Sequence, residues 1–279
     1  MILSKNIVVS NVFLFAKIKL KEYNKYMKKK IVTSIAQDLA DPESMIAKTL
    51  KLLKIPKTPF DPNGKYTHIY VDGSPFSRGH VTGEVTLRRE DGGRIHIESY
   101  RKTPDSTHNY YTIADLKCRD DELSTPVSWL VESKIAEKPS GPAYMYSGLK
   151  LQGKVENGVM KLVKGKSKHS FKLPGRYTCK LCLLDAVQRL PKLGMKEIHF
   201  TMIDEYDQIC PNQTLRFREK SKALVKGGNV DVYLYDHVGT ATVPGTYCVD
   251  ASGRLLIYVA GIQSLILTKE NDFKTGYTI

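Results

Sequence analysis

The chain lacks any run of about 18 apolar residues, the length a membrane-spanning helix requires, so a helical integral membrane protein is not expected. It also lacks the glycine-rich phosphate loop, the dinucleotide-binding glycine pattern and the GxSxG nucleophile turn, so the common phosphate-cradling and acyl-transfer motifs have no counterpart here. The seven histidines stand singly, none four residues from another as on one face of a metal-binding helix. The five cysteines are too few, and odd in number, for the disulfide framework of a small secreted module. There is one tryptophan, no internal repeat and no low-complexity tract. No catalytic residue, metal ligand or cofactor is therefore assigned.

What the chain has is ordinary globular composition, with 41% hydrophobic and 26% charged residues over 279 positions, which excludes wholesale disorder. The formal charge of +14 is unevenly spread. Residues 1–60 hold twelve lysines, no arginine and four acids, and residues 150–180 hold nine basic residues against Glu156 alone. At the start, Lys5 precedes the apolar run Ile7 to Ala16, but Lys17, Lys19 and Lys21 come after it without a small-residue cleavage pattern. A second start at Met27 places Lys28, Lys29 and Lys30 ahead of Ile31 to Ala36.

Asp41 with Pro42 and Glu43 reads as a helix start, and Ile46, Leu50 and Leu53 recur at helical spacing until Ile55-Pro56. The Pro- and Gly-rich stretch 54–65 then divides a basic helical extension, 1–60, from a β domain, 61–279. Beyond it the apolar period changes to two. Val81 to Arg89 and Arg94 to Arg101 flank Asp91-Gly92-Gly93; Leu149 to Val155 and Val159 to Val163 flank Asn157-Gly158; Gly245 to Val249 and Arg254 to Val259 flank a turn ending at Gly253. These are hairpin signals because the turn residues tolerate positive φ. Further strands are expected at 67–71, 110–118, 127–133, 143–146, 198–203, 214–218, 230–235 and 262–267. One helix, Thr178 to Leu190, interrupts them with an apolar stripe of Cys179, Cys182, Leu183, Ala186, Val187 and Leu190, stopped by Pro191. The expected fold is mainly β (α+β): a curved antiparallel sheet or half-barrel wrapping one helix, behind a short helical N-terminal region.

The segments Gly83 to Glu90, Leu184 to Pro191 and Val243 to Leu256 resemble successive landmarks of a loosely defined group of uncharacterised bacterial exported proteins. That group shares the sheet-around-helix half-barrel of the outer-membrane lipoprotein carriers. The resemblance implies an extracytoplasmic protein, periplasmic or secreted, with an apolar cavity for a lipid or other hydrophobic molecule. The basic leader departs from that pattern, and without a working export signal the chain is cytoplasmic.

The expected function is binding of a hydrophobic or amphipathic ligand, with a polyanion surface as the alternative. Sixteen tyrosines are many for this length, and strand tyrosines can line a cavity with an apolar ring and a polar hydroxyl. Tyr110, Tyr144, Tyr146 and the single Trp129 are the expected wall for a hydrophobic or amphipathic ligand held by a non-catalytic carrier. The alternative is a polyanion module, for nucleic acid or an anionic membrane surface, using Lys161, Lys164, Lys166 and Lys168. Cys179 and Cys182 form a CxxC without a second such pair or a zinc-completing histidine, so core packing is the expected role of both. The acids Asp204, Glu205 and Asp207 read as a solvated loop after a strand.

Overall fold

A computed structural model describes residues 46–47, 49–51, 53–58, 60–72, 80–102, 108–138, 140–144, 147–261 and 263–268. The expected helix start at Asp41 and both readings of the leader lie outside these residues. The chain divides into two units at Met45/Ile46, and the second unit carries the sheet.

Among the described residues fifteen strands form one sheet. In chain order they are β1 (Lys65–Asp72), β2 (His80–Glu90), β3 (Arg94–Lys102), β4 (Asn109–Cys118), β5 (Pro126–Ala136), β6 (Leu149–Glu156), β7 (Val159–Lys164), β8 (Ser167–Lys172), β9 (Tyr177–Cys179), β10 (Glu197–Asp204), β11 (Gln208–Val225), β12 (Gly228–Val238), β13 (Gly245–Asp250), β14 (Leu255–Ala260) and β15 (Gln263–Thr268). Spatially the order runs from β8 down to β1, passes to β15, and descends to β9. The pairings are antiparallel except the one between β9 and β10.

At about 4.8 Å per strand a flat sheet of this size would measure nearly 70 Å across. Yet Met160 and Leu162 near one edge share a single core cluster with Phe200 and Met202 near the other. The sheet must therefore curve until its two ends face a common interior. Sequence connectivity enforces the same result, because edge strands β8 and β9 are joined only by residues 173–176, which span about 18 Å at full extension. Lys164 at the end of β7 also pairs with Asp207 between β10 and β11 at 3.5 Å. The sheet is curved and unclosed, a half-barrel.

Two short helices, α1 (Cys182–Ala186) and α2 (Leu190–Leu193), sit inside the curve. The single expected helix is thus shorter and divided. Its first residues, Thr178 and Cys179, instead extend β9, pairing in parallel with Met202 and Ile203. Pro191 opens α2 instead of stopping a helix, a place where its missing N–H costs nothing, and Gly194 ends α2 in the left-handed region at φ 61°. The expected apolar stripe is nevertheless buried in full.

A buried ionic knot fixes α1 to the sheet. Arg89 of β2 donates to Asp185 at 2.5 Å, Ser124 between β4 and β5 donates to the same carboxylate, and Arg189 approaches it at 3.3 Å. On the opposite face of the sheet a second core forms. There Ile46, Leu50 and Leu53, spaced as the sequence predicts, pack with Ile69, Val71, Leu234, Cys248, Ile257 and Ile266.

The hairpins at Gly92-Gly93, Asn157-Gly158 and Gly253 form as expected, and Asn157 and Gly158 both take positive φ, 51° and 73°. The expected strand at 143–146 does not form over Ala143 and Tyr144. Pro142 precedes it, and the Tyr144 amide donates to Ile135 across a loop. Conversely, β8 and most of the 18-residue β11 had no apolar alternation to announce them, since β8 is exposed throughout and β11 runs past the core.

Candidate functional site

Strand alternation sends one set of side chains into the half-barrel and the other outward. Across β2 to β7 the outward set floors an open groove of about 840 Å3, bordered by Arg88, Glu90, Arg94, His96, Asp115, Lys117, Gln152, Lys154 and Lys161. Register places these residues in rows. Glu90 lies opposite Arg94, Arg94 opposite Lys117, Lys117 opposite Ser128, Ser128 opposite Lys154, and Lys154 opposite Lys161. Four cations therefore cross five adjacent strands in one line, interrupted only by a serine. The neighbouring row runs Arg88, His96, Asp115, Leu130, Gln152, Val163 and Lys168.

Like charges directly opposite one another on paired strands repel. Glu156 relieves one half of the row, accepting Lys154 at 2.5 Å and Lys161 at 2.9 Å, and these two bonds hold its carboxyl down at about 2. Arg88 pairs with Glu90 at 2.6 Å. Among the described residues no ion pair engages Arg94 or Lys117, which face each other exposed. Partial burial opposes protonation of His96, but Asp115 at 2.7 Å and Glu98 at 3.0 Å outweigh it, so the ring is held above its ordinary value. The groove thus carries two unneutralised cations, Arg94 and Lys117, beside a histidine whose charge is balanced by Asp115 and Glu98.

The structure scatters the residues expected to bind ligands. Lys161 lies in the cationic row and Lys168 at the end of its neighbour. Lys164 turns to Asp207, and Lys166 stands exposed in the turn before β8. Trp129 is buried in the inner core, its indole lying over Gly153 of β6, where even a methyl group would fall within 1.9 Å of the ring. Tyr110 is exposed and pairs with Ile135, six residues along β4 from the Leu116 that faces Trp129, or about 20 Å. Tyr144 is exposed against His108, with ring centroids 4.4 Å apart. Tyr146 lies outside the described residues.

Arg94, Lys117 and Lys154 were not singled out from the sequence. The Asn-Gly hairpin fixes Lys154 opposite Lys161, so that half of the row was readable from the turn. The register that joins β3 to β4, and β4 to β5, rests on longer connections whose lengths do not specify a pairing.

Inside the half-barrel several polar atoms are buried without a partner among the described residues, including Trp129 Nε1, Tyr177 Oη and Tyr206 Oη. Tyr206 departs from the expected solvated acidic loop. Between Glu205 and Asp207 the chain takes positive φ at 205 and 206, 46° and 66°, and turns this tyrosine into the core. Asp204 pairs at 3.2 Å with Lys180, just past the end of the neighbouring strand β9, and Asp207 pairs with Lys164 across the opening. Burial pushes the Tyr206 hydroxyl well above its ordinary value. The three thiols of Cys118, Cys179 and Cys182 are clustered nearby and buried.

No family model and no curated protein matches the chain. Among solved structures it is similar to a beta-barrel-like protein of a domain of unknown function, DUF1849, from Brucella abortus, with a TM-score of 0.48, 10% identity and coverage of 73% of this chain and 94% of that one. It is also similar to a DUF1089 family protein from Pseudomonas aeruginosa, with a TM-score of 0.39, 13% identity and coverage of 76% and 97%.

Proposed function

We propose that this is a non-catalytic binding protein whose outer groove holds an extended anionic ligand. The observation that carries the reading is the row Arg94, Lys117, Lys154 and Lys161, four cations in line across adjacent strands, of which Glu156 pairs with the last two. Nothing in the packing of the fold calls for such a row, and an anion laid along it would relieve the repulsion. No exposed aromatic stands among the residues lining the groove, so the ligand is held by charge and not by base stacking. The lysine-rich extension 1–60 adds charge of the same sign.

The test is titration with linear polyphosphate, monitored by calorimetry across a salt series. The two cations without an ion pair, Arg94 and Lys117, give a slope of log K against log salt of about −1.5. Arg94→Glu with Lys117→Glu, two exposed positions that leave the core untouched, should abolish binding. Salt-independent binding, or full affinity in the double variant, would refute the reading.

A second reading is supported by Trp129 Nε1, Tyr177 Oη and Tyr206 Oη. Buried donors without acceptors are costly and uncommon, and an amphipathic molecule inside the half-barrel would satisfy them, as in a lipoprotein-carrier-like protein. Native mass spectrometry of the gently purified chain distinguishes the two. A lipid-sized adduct that survives the Arg94→Glu/Lys117→Glu change belongs to the interior, and a bare mass argues against this second reading.

A further inference from the structure

Cys179 is the last residue of β9 and Cys182 the first of α1. Their Sγ atoms lie 2.7 Å apart. Non-bonded heavy atoms settle at about 3.5–4 Å and a disulfide brings two sulfurs to about 2 Å, so this pair already stands inside ordinary contact distance. The approach is built into the backbone, since the Cys182 amide donates to Cys179 Sγ at 3.2 Å. Cys118, at the end of β4, keeps an ordinary contact of 3.9 Å from Cys182. The sequence reading of these cysteines as mere core packing explains their burial but not this spacing.

We propose that Cys179 and Cys182 are a modification site, a thiol pair that closes to a disulfide when the chain folds in the presence of a small disulfide oxidant. The step is a thiol–disulfide exchange. One protein thiolate attacks the oxidant and expels one thiol, and the second thiolate then displaces the remaining half from the mixed disulfide. The two protein sulfurs lose two electrons, the oxidant's S–S bond breaks and takes them up, and the two protons leave on the two small thiols released.

All three cysteines are buried, and burial raises the Cys182 thiol well above its ordinary value, so exchange belongs to the folding chain and not to the finished core. Once formed, the bond ties edge strand β9 to the enclosed helix. β9 is three residues long and pairs only with β10 among the described strands. The link therefore secures the weakest edge of the sheet to the element that fills it, and afterwards lies shielded from reductants.

The experiment refolds the full, reduced chain in a mixture of oxidised and reduced glutathione. Remaining thiols are then alkylated in denaturant and the intact mass and peptides are read. The expected product is lighter than the reduced chain by two hydrogens, carries three alkyl groups, and yields a peptide with Cys179 joined to Cys182. Cys118→Ser should give the same bond with two alkyl groups. Five alkylated cysteines in the refolded wild-type chain would overturn the proposal. So would a bond from Cys182 to Cys118, or loss of the bond in the Cys118→Ser chain.

Discussion

Replacing Asp185 by Asn removes one charge and almost no volume, at the point where α1 is held to the sheet. Asp185 is 3% exposed and Arg89 is 5% exposed. Arg89 loses its contact at 2.5 Å with a carboxylate, and Arg189 loses one at 3.3 Å. Both arginines keep Asp120 at 3.0 Å, but that side chain is 87% exposed and screened by water. Breaking a buried pair by removing one partner costs about 3–5 kcal/mol, because the other charge stays buried. With Asp120 in partial compensation we expect about 3 kcal/mol, a large share of the roughly 5–15 kcal/mol that typically separates folded from unfolded chains. For a domain of this size the thermal midpoint should fall by about 6–12 °C. Urea unfolding monitored by the fluorescence of Trp129, the single tryptophan and itself in the inner core, reports the change directly. Arg89→Met with Asp185→Leu removes both charges and should recover much of the loss. A cost below about 1 kcal/mol for Asp185→Asn, or an equal cost from Asp120→Asn, would refute the view that this ion pair anchors the helix.

Local geometry sets three further outcomes. Gly153→Ala forces a methyl into the Trp129 ring and should cost about 1–3 kcal/mol in urea unfolding, while a second change of Trp129→Phe should return part of it; additive losses would exclude the clash. Gly158→Ala places a methyl at φ 73° with only an ordinary contact, the Leu173 carbonyl oxygen at 3.9 Å, so backbone strain should cost about 1–2 kcal/mol, measurable as a lower thermal midpoint. His68 and His237 are held at about 4 chiefly by burial, below the unfolded value near 6.5. The unfolded chain therefore binds more protons between these values, and stability is full above about pH 6.5 and falls as pH drops toward 4. The slope should reach about 1.4 kcal/mol per pH unit for each ring. A flat urea midpoint between about pH 7 and 5, or an unchanged slope in His68→Gln, would contradict the burial argument.

Local chemistry made much of this protein legible. Asn157-Gly158 required a two-residue hairpin because both residues accept positive φ, and it alone set Lys154 opposite Lys161. The alternation of Val85 and Leu87, Ile95 and Ile97, and Ala114 and Leu116 marked the inner face, and the spacing of Ile46, Leu50 and Leu53 marked a helix with one buried side. Burial of Cys179, Cys182, Leu183 and Val187 was equally readable from their stripe. What tertiary structure decided were relations between distant segments. The late start of the expected helix came from β10, which captured Thr178 and Cys179 as a strand. The meeting of Arg94 with Lys117, the turning of Tyr206 into the core and the gathering of Cys118 with Cys179 and Cys182 depend on how far the sheet curls and where its edges meet. A periodic pattern states which way a side chain faces, because that is set by backbone geometry within a few residues. Which side chains share that face is decided by register across long connections, and only the folded sheet specifies it.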